Sequence, residues 1–251
     1  MRLPLPVRAL AAAALCAVSW SQAKAGEAKL AVAANFTEPV REIGKGFERT
    51  TGHRLVLSLS ASGQFYAQIT QGAPFDILLS ADQATPAKAI AEGHAVGGTA
   101  FTYAVGRLVL FSKTAGLVEG EKTLKEGKFA KVAIANPATA PYGAAAVAAM
   151  KALGVYAALQ PKIVQGNSIA QTFQFVDTGN AEVGFVALSQ VALVEGGSRW
   201  TVPQSLYAAI AQDAVLLKPG AGNDAARAFL AYLKGPEARR VIVRFGYGLA
   251  D

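Results

Sequence analysis

Four short stretches of the chain combine small polar residues with glycine or proline at the point where an apolar run gives way to a helical pattern. They are "AANFTEP" (33–39), "SASGQ" (60–64), "APYGA" (140–144) and "QGNSIAQ" (165–171). None contains lysine or arginine. The chemistry open to such segments is donation from neutral groups. A helix start presents unpaired N–H groups and about half a positive charge, and hydroxyls add further donors. In an open α/β sheet, ligands bind beyond the carboxyl ends of strands, where helices begin. Four such starts, brought together, carry roughly the charge that balances a dianion. They would suit a small, fully deprotonated tetrahedral oxyanion.

Each stretch alone has a plainer reading. A serine, threonine or asparagine before a helix is ordinarily an N-cap, worth ~1 kcal/mol of stability. Enzyme chemistry finds little support. The chain after the leader carries no G-x-S-x-G, S-x-x-K, H-E-x-x-H or G-x-x-x-x-G-K motif. That leaves a secreted α/β hydrolase or transferase without a recognisable nucleophile and base. The two histidines, His53 and His94, each lie near a glycine in a turn-like segment and are expected at the solvent surface. They do not form a metal site with cysteines, because the one cysteine, Cys16, lies in the leader. A cationic cargo would want clustered carboxylates or imidazoles, which the four starts lack. Monohydrogen phosphate would want an acceptor carboxylate. Glu38 is the nearest candidate, although an acidic first-turn residue also complements the helix dipole. Sulfate differs from larger oxyanions mainly in size.

Residues 1–25 read as a secretory leader. Arg2 and Arg8 precede an apolar stretch from Ala9 to about Trp20, and Ala23-Lys24-Ala25 forms an A-x-A cleavage signature. The apolar stretch is short for a hydrocarbon core of ~30 Å. Leu15 before Cys16 argues against lipidation. Cleavage after Ala25 would remove three basic residues and lower the formal charge from +7 to +4. The remaining basic residues are scattered, without the aromatic-basic interleaving of nucleic-acid surfaces. A 251-residue chain that is 52% hydrophobic supports one or two globular domains.

Apolar runs alternate with helical patterns along the rest of the chain. "KLAVAAN", "RLVLSLS" and "FDILLS" read as strands. Between and after them come a helix with Val40, Ile43 and Phe47 on one face and Gly52 as its stop, a helix from about Gln64 to Gln71, and another around "DQATPAKAIAEG". Thr37 is placed to cap the first of these. "GRLVLFSK" opens a second unit, in which "KVAIANP", "KIVQG" and "AEVGFVAL" alternate with "GAAAVAAMKALG" and "IAQTFQFVDTG". "DAVLLKPG" and two amphipathic helices close the chain. The pattern predicts two α/β units, each a mostly parallel sheet flanked by helices.

The quoted stretches are similar to those of the periplasmic molybdate-binding proteins, solute receptors of ABC transporters. "KLAVAANFTEPVREI", "SASGQFYAQITQGAPFDILLSAD", "NPATAPYG", "GNAEVGFVALSQV" and "YLKGPEARRVIVRFGYGL" carry the resemblance, which spans essentially the whole chain after the leader. It implies a two-lobed type II binding-protein fold. Lobe I would hold residues 26–105 plus 212–251, and lobe II residues 106–211. The ligand would be molybdate or tungstate, held between the lobes without cofactor, direct protein–metal bonds or counter-charged side chains. The implied ligand residues are Asn35, Ser62, Tyr142 and Ile169, the last through its backbone N–H, with Ala34 as a further backbone donor. Many members have serine at position 35 and tyrosine at position 187. Here Asn35 and Ala187 stand there, and Tyr142 is expected to supply the hydroxyl absent at Ala187, with Gly143, which has no side chain, letting the backbone and the tyrosine approach a ligand closely. The implied partner is a membrane permease, the location the periplasm and the state a monomer that binds no nucleic acid.

Overall fold

The computed structural model describes residues 25–250, so the leader and its expected processing lie outside the described residues. Among the described residues no helix is long and apolar enough to cross a membrane. The first unit runs β1 (Glu27–Ala33), α1 (Thr37–Thr51), β2 (Arg54–Ser60), α2 (Ser62–Thr70), β3 (Ile77–Leu79), α3 (Ala84–Ala91) and β4 (Phe101–Gly106). The second runs β5 (Leu108–Ser112), α4 (Glu121–Glu126), β6 (Val132–Ala135), α5 (Pro141–Ala152), α6 (Tyr156–Leu159), β7 (Ile163–Gly166), α7 (Ile169–Asp177), β8 (Val183–Ala187), α8 (Leu188–Val191) and β9 (Ser198–Thr201). The chain then returns through β10 (Ile210–Leu216), α9 (Asp224–Leu233) and α10 (Pro236–Arg244).

The strands form two five-stranded sheets, ordered β2-β1-β3-β10-β4 and β7-β6-β8-β5-β9. In each, four strands run one way and one runs against them: β10 in the first sheet and β5 in the second. Both reversed strands adjoin a passage between the sheets. β4 passes into β5 through Arg107, and β9 returns to β10 through residues 202–209. Two connections therefore link the two layered units.

The amphipathic pattern of α1 is realised as expected. Val40, Ile43 and Phe47 are buried, and Gly52 ends the helix in the left-handed conformation at φ 73°, which glycine adopts at little cost. Phe47 meets Phe229 of α9 edge to ring at 5.4 Å, joining the returning helices to the first core. The second core centres on β5, β6, β8 and α5 and extends to Ala33, Ala34, Ala61 and Ala81 of the first unit. The alanines matter because small side chains allow the two units to approach closely.

Three local expectations are revised. Thr37 is the first residue of α1 and its hydroxyl donates to the Ala34 carbonyl at 2.8 Å, so it does not cap. The α2 helix begins at Ser62, two residues earlier than expected, with Ala61 in the cap position. Neither histidine is freely exposed. His53 accepts from Gly26 N–H at 2.9 Å and stacks on Phe47, and His94 is half-buried near Glu92.

Candidate anion-binding site

All four stretches of neutral donors converge on one cavity. Its wall is built from Ala33, Ala34 and Asn35 after β1, Ser60–Ser62 at the start of α2, Ala140–Tyr142 at the start of α5, and Ile169 at the start of α7; Ala81 completes it. The five residues implied by the resemblance therefore lie around one space. The cavity is small, about 10 Å³. That suits one small species rather than an organic substrate. No charged side chain lines it. A wider cleft of about 520 Å³ opens beside it and shares Ala81, Ala140 and Pro141 with it.

Each position results from local chain chemistry. β1 ends in a tight 3-10 turn, Ala34–Phe36, which buries Asn35. Ser62 is the first residue of α2, and its buried Oγ accepts from Ala81 N–H at 2.9 Å. That bond fixes the oxygen and leaves the hydroxyl proton for another acceptor. Pro141 occupies the first turn of α5, where its missing N–H costs nothing, and Tyr142 follows. Ile169 begins α7 behind the true cap, Ser168, whose hydroxyl accepts from Gln171 N–H at 3.4 Å. The first-turn N–H groups of Ser62, Tyr142 and Ile169 have no acceptor within their own helices.

Behind the cavity lies a buried polar cluster that sequence reasoning missed. Asn35 Nδ2 donates to Gln212 Oε1 at 2.8 Å and to Tyr247 Oη at 2.9 Å. Both amide hydrogens are thereby committed, so the side chain anchors the turn. The Asn35 carbonyl accepts from Ser189 Oγ and Tyr247 Oη, both at 2.8 Å. Tyr103 Oη donates to Gln212 Oε1 or to the Ser80 carbonyl, each at 3.0 Å. Burial pushes the Tyr103, Tyr142 and Tyr247 hydroxyls above the ordinary phenol range, and for Tyr142 neighbouring Tyr247 and Tyr103 add to it. These groups therefore stay protonated at neutral pH and remain donors. The sequence signal was faint. Gln212 lies beside Asp213 in a strand whose other residues are apolar, and its partners lie far away in the chain.

Several expectations change at this level. Gly143 does not open space toward the cavity. A Cβ there would lie 2.2 Å from the Ala135 carbonyl oxygen, so glycine is needed for α5 to approach β6. Ala187 is fully buried and does not line the cavity. Glu38 also stays outside, exposed and paired with Arg41 at 2.9 Å, so it offers no acceptor for a protonated phosphate. No group of three or more metal-ligating side chains occurs among the described residues.

Comparisons with known proteins agree with this architecture. A molybdate-binding protein ModA from Rhodobacter capsulatus is 56% identical over 225 residues, covering 90% of this chain and 89% of the relative. One from Azotobacter vinelandii is 53% identical, covering 90% and 92%. The solved structure of an Azotobacter vinelandii periplasmic molybdate-binding protein superposes with a TM-score of 0.87 at 38% identity, covering 89% of this chain and all of that one. The family model described as bacterial extracellular solute-binding protein matches residues 28–248. The chain belongs to that family of bacterial extracellular solute-binding proteins.

Proposed function

We propose that this protein is a periplasmic receptor that binds molybdate, and tungstate by the same contacts, and delivers it to the permease of an ABC transporter. It is a carrier and not an enzyme. The observation that carries the reading is the cavity itself: a space for one small ion, walled by four helix or turn beginnings and by no charged side chain. The names of the relatives support the choice of molybdate. In this reading the Ser62 and Tyr142 hydroxyls donate to the anion, joined by backbone N–H groups at Ala34, Asn35, Ser62 and Ile169. Neutral donors suit a dianion that carries no proton, and with no carboxylate at hand they disfavour monohydrogen phosphate.

The lobe borders expected from the sequence, 105/106 and 211/212, move in this proposal: lobe I keeps β4 and β10 whole, with residues 26–106 and 210–250, and lobe II takes residues 107–209. The β4–β5 and β9–β10 connections act as the hinge, and closure is a rigid-body movement about them. The leader is removed after Ala25, and the mature protein works as a monomer.

A thermal-shift panel of molybdate, tungstate, sulfate and phosphate tests the assignment. Molybdate and tungstate are expected to raise the melting temperature strongly, because a ligand at about 100 times its Kd adds about 2.7 kcal/mol. A comparable rise with sulfate or phosphate, or none with molybdate, would overturn it.

A further inference from the structure

The proposed function leaves one question open: what directs the Tyr142 hydroxyl proton toward the cavity and away from the protein? Its oxygen accepts from Gln212 Nε2 at 3.2 Å, and the Tyr247 hydroxyl lies close enough to interact with it. Gln212 is completely buried on β10, the returning strand. The same amide accepts from Asn35 through Oε1. One side chain thus touches a cavity residue from each unit.

The fold places Gln212 there by an irregularity. Along the β10–β4 ladder, Gln212 pairs with Ala104 and Asp213 with Thr102, so Tyr103 is skipped. Such a bulge re-aims side chains locally. Tyr103 then reaches Gln212 Oε1 at 3.0 Å and helps fix the orientation of the amide. With Oε1 facing the donors Asn35 and Tyr103, Nε2 must face Tyr142. The pair is also confined from behind. A Cβ at Gly106, the last residue of β4, would lie 2.1 Å from Tyr142 Oη and 2.7 Å from Gln212 Nε2. The hydroxyl therefore lies directly against the strand connecting the two units.

We propose that Gln212 is a positioning residue for anion binding: its amide fills the acceptor side of the Tyr142 hydroxyl and so turns the proton into the cavity. It never touches the anion. It also couples the Asn35 turn to the Tyr142 helix start, so the donor is set only when the two units are together. This inference rests on the proposed function, since it assumes that the cavity holds an oxyanion.

The test is a double-mutant cycle on the full mature protein, read by isothermal titration with sodium molybdate. Tyr142→Phe is expected to weaken binding by about ten- to a hundredfold. Gln212→Met, in the wild-type background, is expected to weaken it by about tenfold. In the Tyr142→Phe background the same change is expected to cost about twofold or less, because the hydroxyl it orients is already gone. Equal fold-losses in both backgrounds would overturn the positioning role and leave Gln212 as a packing residue. If the methionine variant melts below the assay temperature, Gln212→Asn reads the same coupling, since it keeps an amide one methylene short of Tyr142. A wild-type protein that gives no heat with molybdate would remove the proposed function and this inference with it. Additive losses in a wild type that does bind would remove this inference alone.

Discussion

Ser62 and Ser168 stand at corresponding places in the two halves of the molecule, each at a strand-to-helix junction beside the same cavity. Their hydroxyls do different work because they differ by one position in the helix. Ser168 is the cap of α7 and its oxygen serves Gln171 N–H. Ser62 follows the cap position, held by Ala61, and its oxygen is fixed by Ala81 N–H from another element. A cap hydroxyl is turned onto its own helix. Both oxygens accept an N–H and keep a proton, but Ser62 lines the cavity and Ser168 does not. In the proposed function the first unit would therefore contribute a side-chain donor at its helix start, and the second unit would contribute backbone at α7 and the Tyr142 hydroxyl at α5.

Substitutions at the two serines should separate most widely. Ser62→Ala is expected to weaken molybdate binding by ~1.5–3 kcal/mol, or roughly ten- to a hundredfold, measured by titration calorimetry. Unchanged affinity would make Ser62 equivalent to Ser168. The next residue supplies a smaller test. Gly63 N–H donates to the Thr139 carbonyl at 2.9 Å across the cleft, and a Cβ at Gly63 would lie 3.0 Å from Thr139 Cα. Gly63→Ala is expected to hinder closure and weaken binding several-fold, ~1 kcal/mol, the scale of one net hydrogen bond. Small-angle scattering with saturating molybdate should then show a less compact complex than wild type. A wild-type profile would argue against this contact as part of closure.

Ser168→Ala should reverse the balance. The expected loss is ~1 kcal/mol of folding stability in urea denaturation, with affinity changed by less than about twofold, within the scatter of independent sites. A large loss of affinity would show that its hydroxyl also reaches the ligand. The smallest effect expected is that of pH. The donors are neutral and the buried tyrosines titrate above their ordinary range, so affinity should stay flat from about pH 6 to 9. The folded protein holds these phenol protons more tightly than the unfolded chain does. Their contribution to stability is therefore complete below the unfolded tyrosine value of about 10 and declines as pH rises past it. A fall in affinity near the histidine pKa would reveal a titrating ligand group.

The fold was legible where local pattern carries it. The α1 stripe of Val40, Ile43 and Phe47 and its glycine stop could be read directly, as could the alternation of strands and helices. Strand direction could not. β5 and β10 run against their sheets, and nothing in "GRLVLFSK" or "DAVLLKPG" encodes that, because direction depends on where the chain enters a sheet. β4 and the short β9 also escaped notice, the latter because "SRWT" offers only four residues of pattern. For the site, the neutral helix starts pointed to an anion, but the particular residues came from resemblance. The cluster of Gln212, Tyr103, Tyr247 and Ser189 stayed hidden because a buried hydrogen bond between distant residues leaves no local periodicity. Two positive readings at single residues failed for a related reason. Gly143 and Thr37 looked suited to ligand approach and capping, yet each is determined by a neighbour that sequence spacing does not reveal.

The central claim is that an oxyanion sits among neutral donors drawn from both units. Anomalous diffraction at the molybdenum edge, from crystals of the mature protein grown with molybdate, tests it most directly. The expected result is a single strong peak in the cavity, with anion oxygens within hydrogen-bonding distance of Ser62 Oγ and Tyr142 Oη and no charged side chain in contact. A peak elsewhere, or one contacted by lysine, arginine or histidine, would contradict the account.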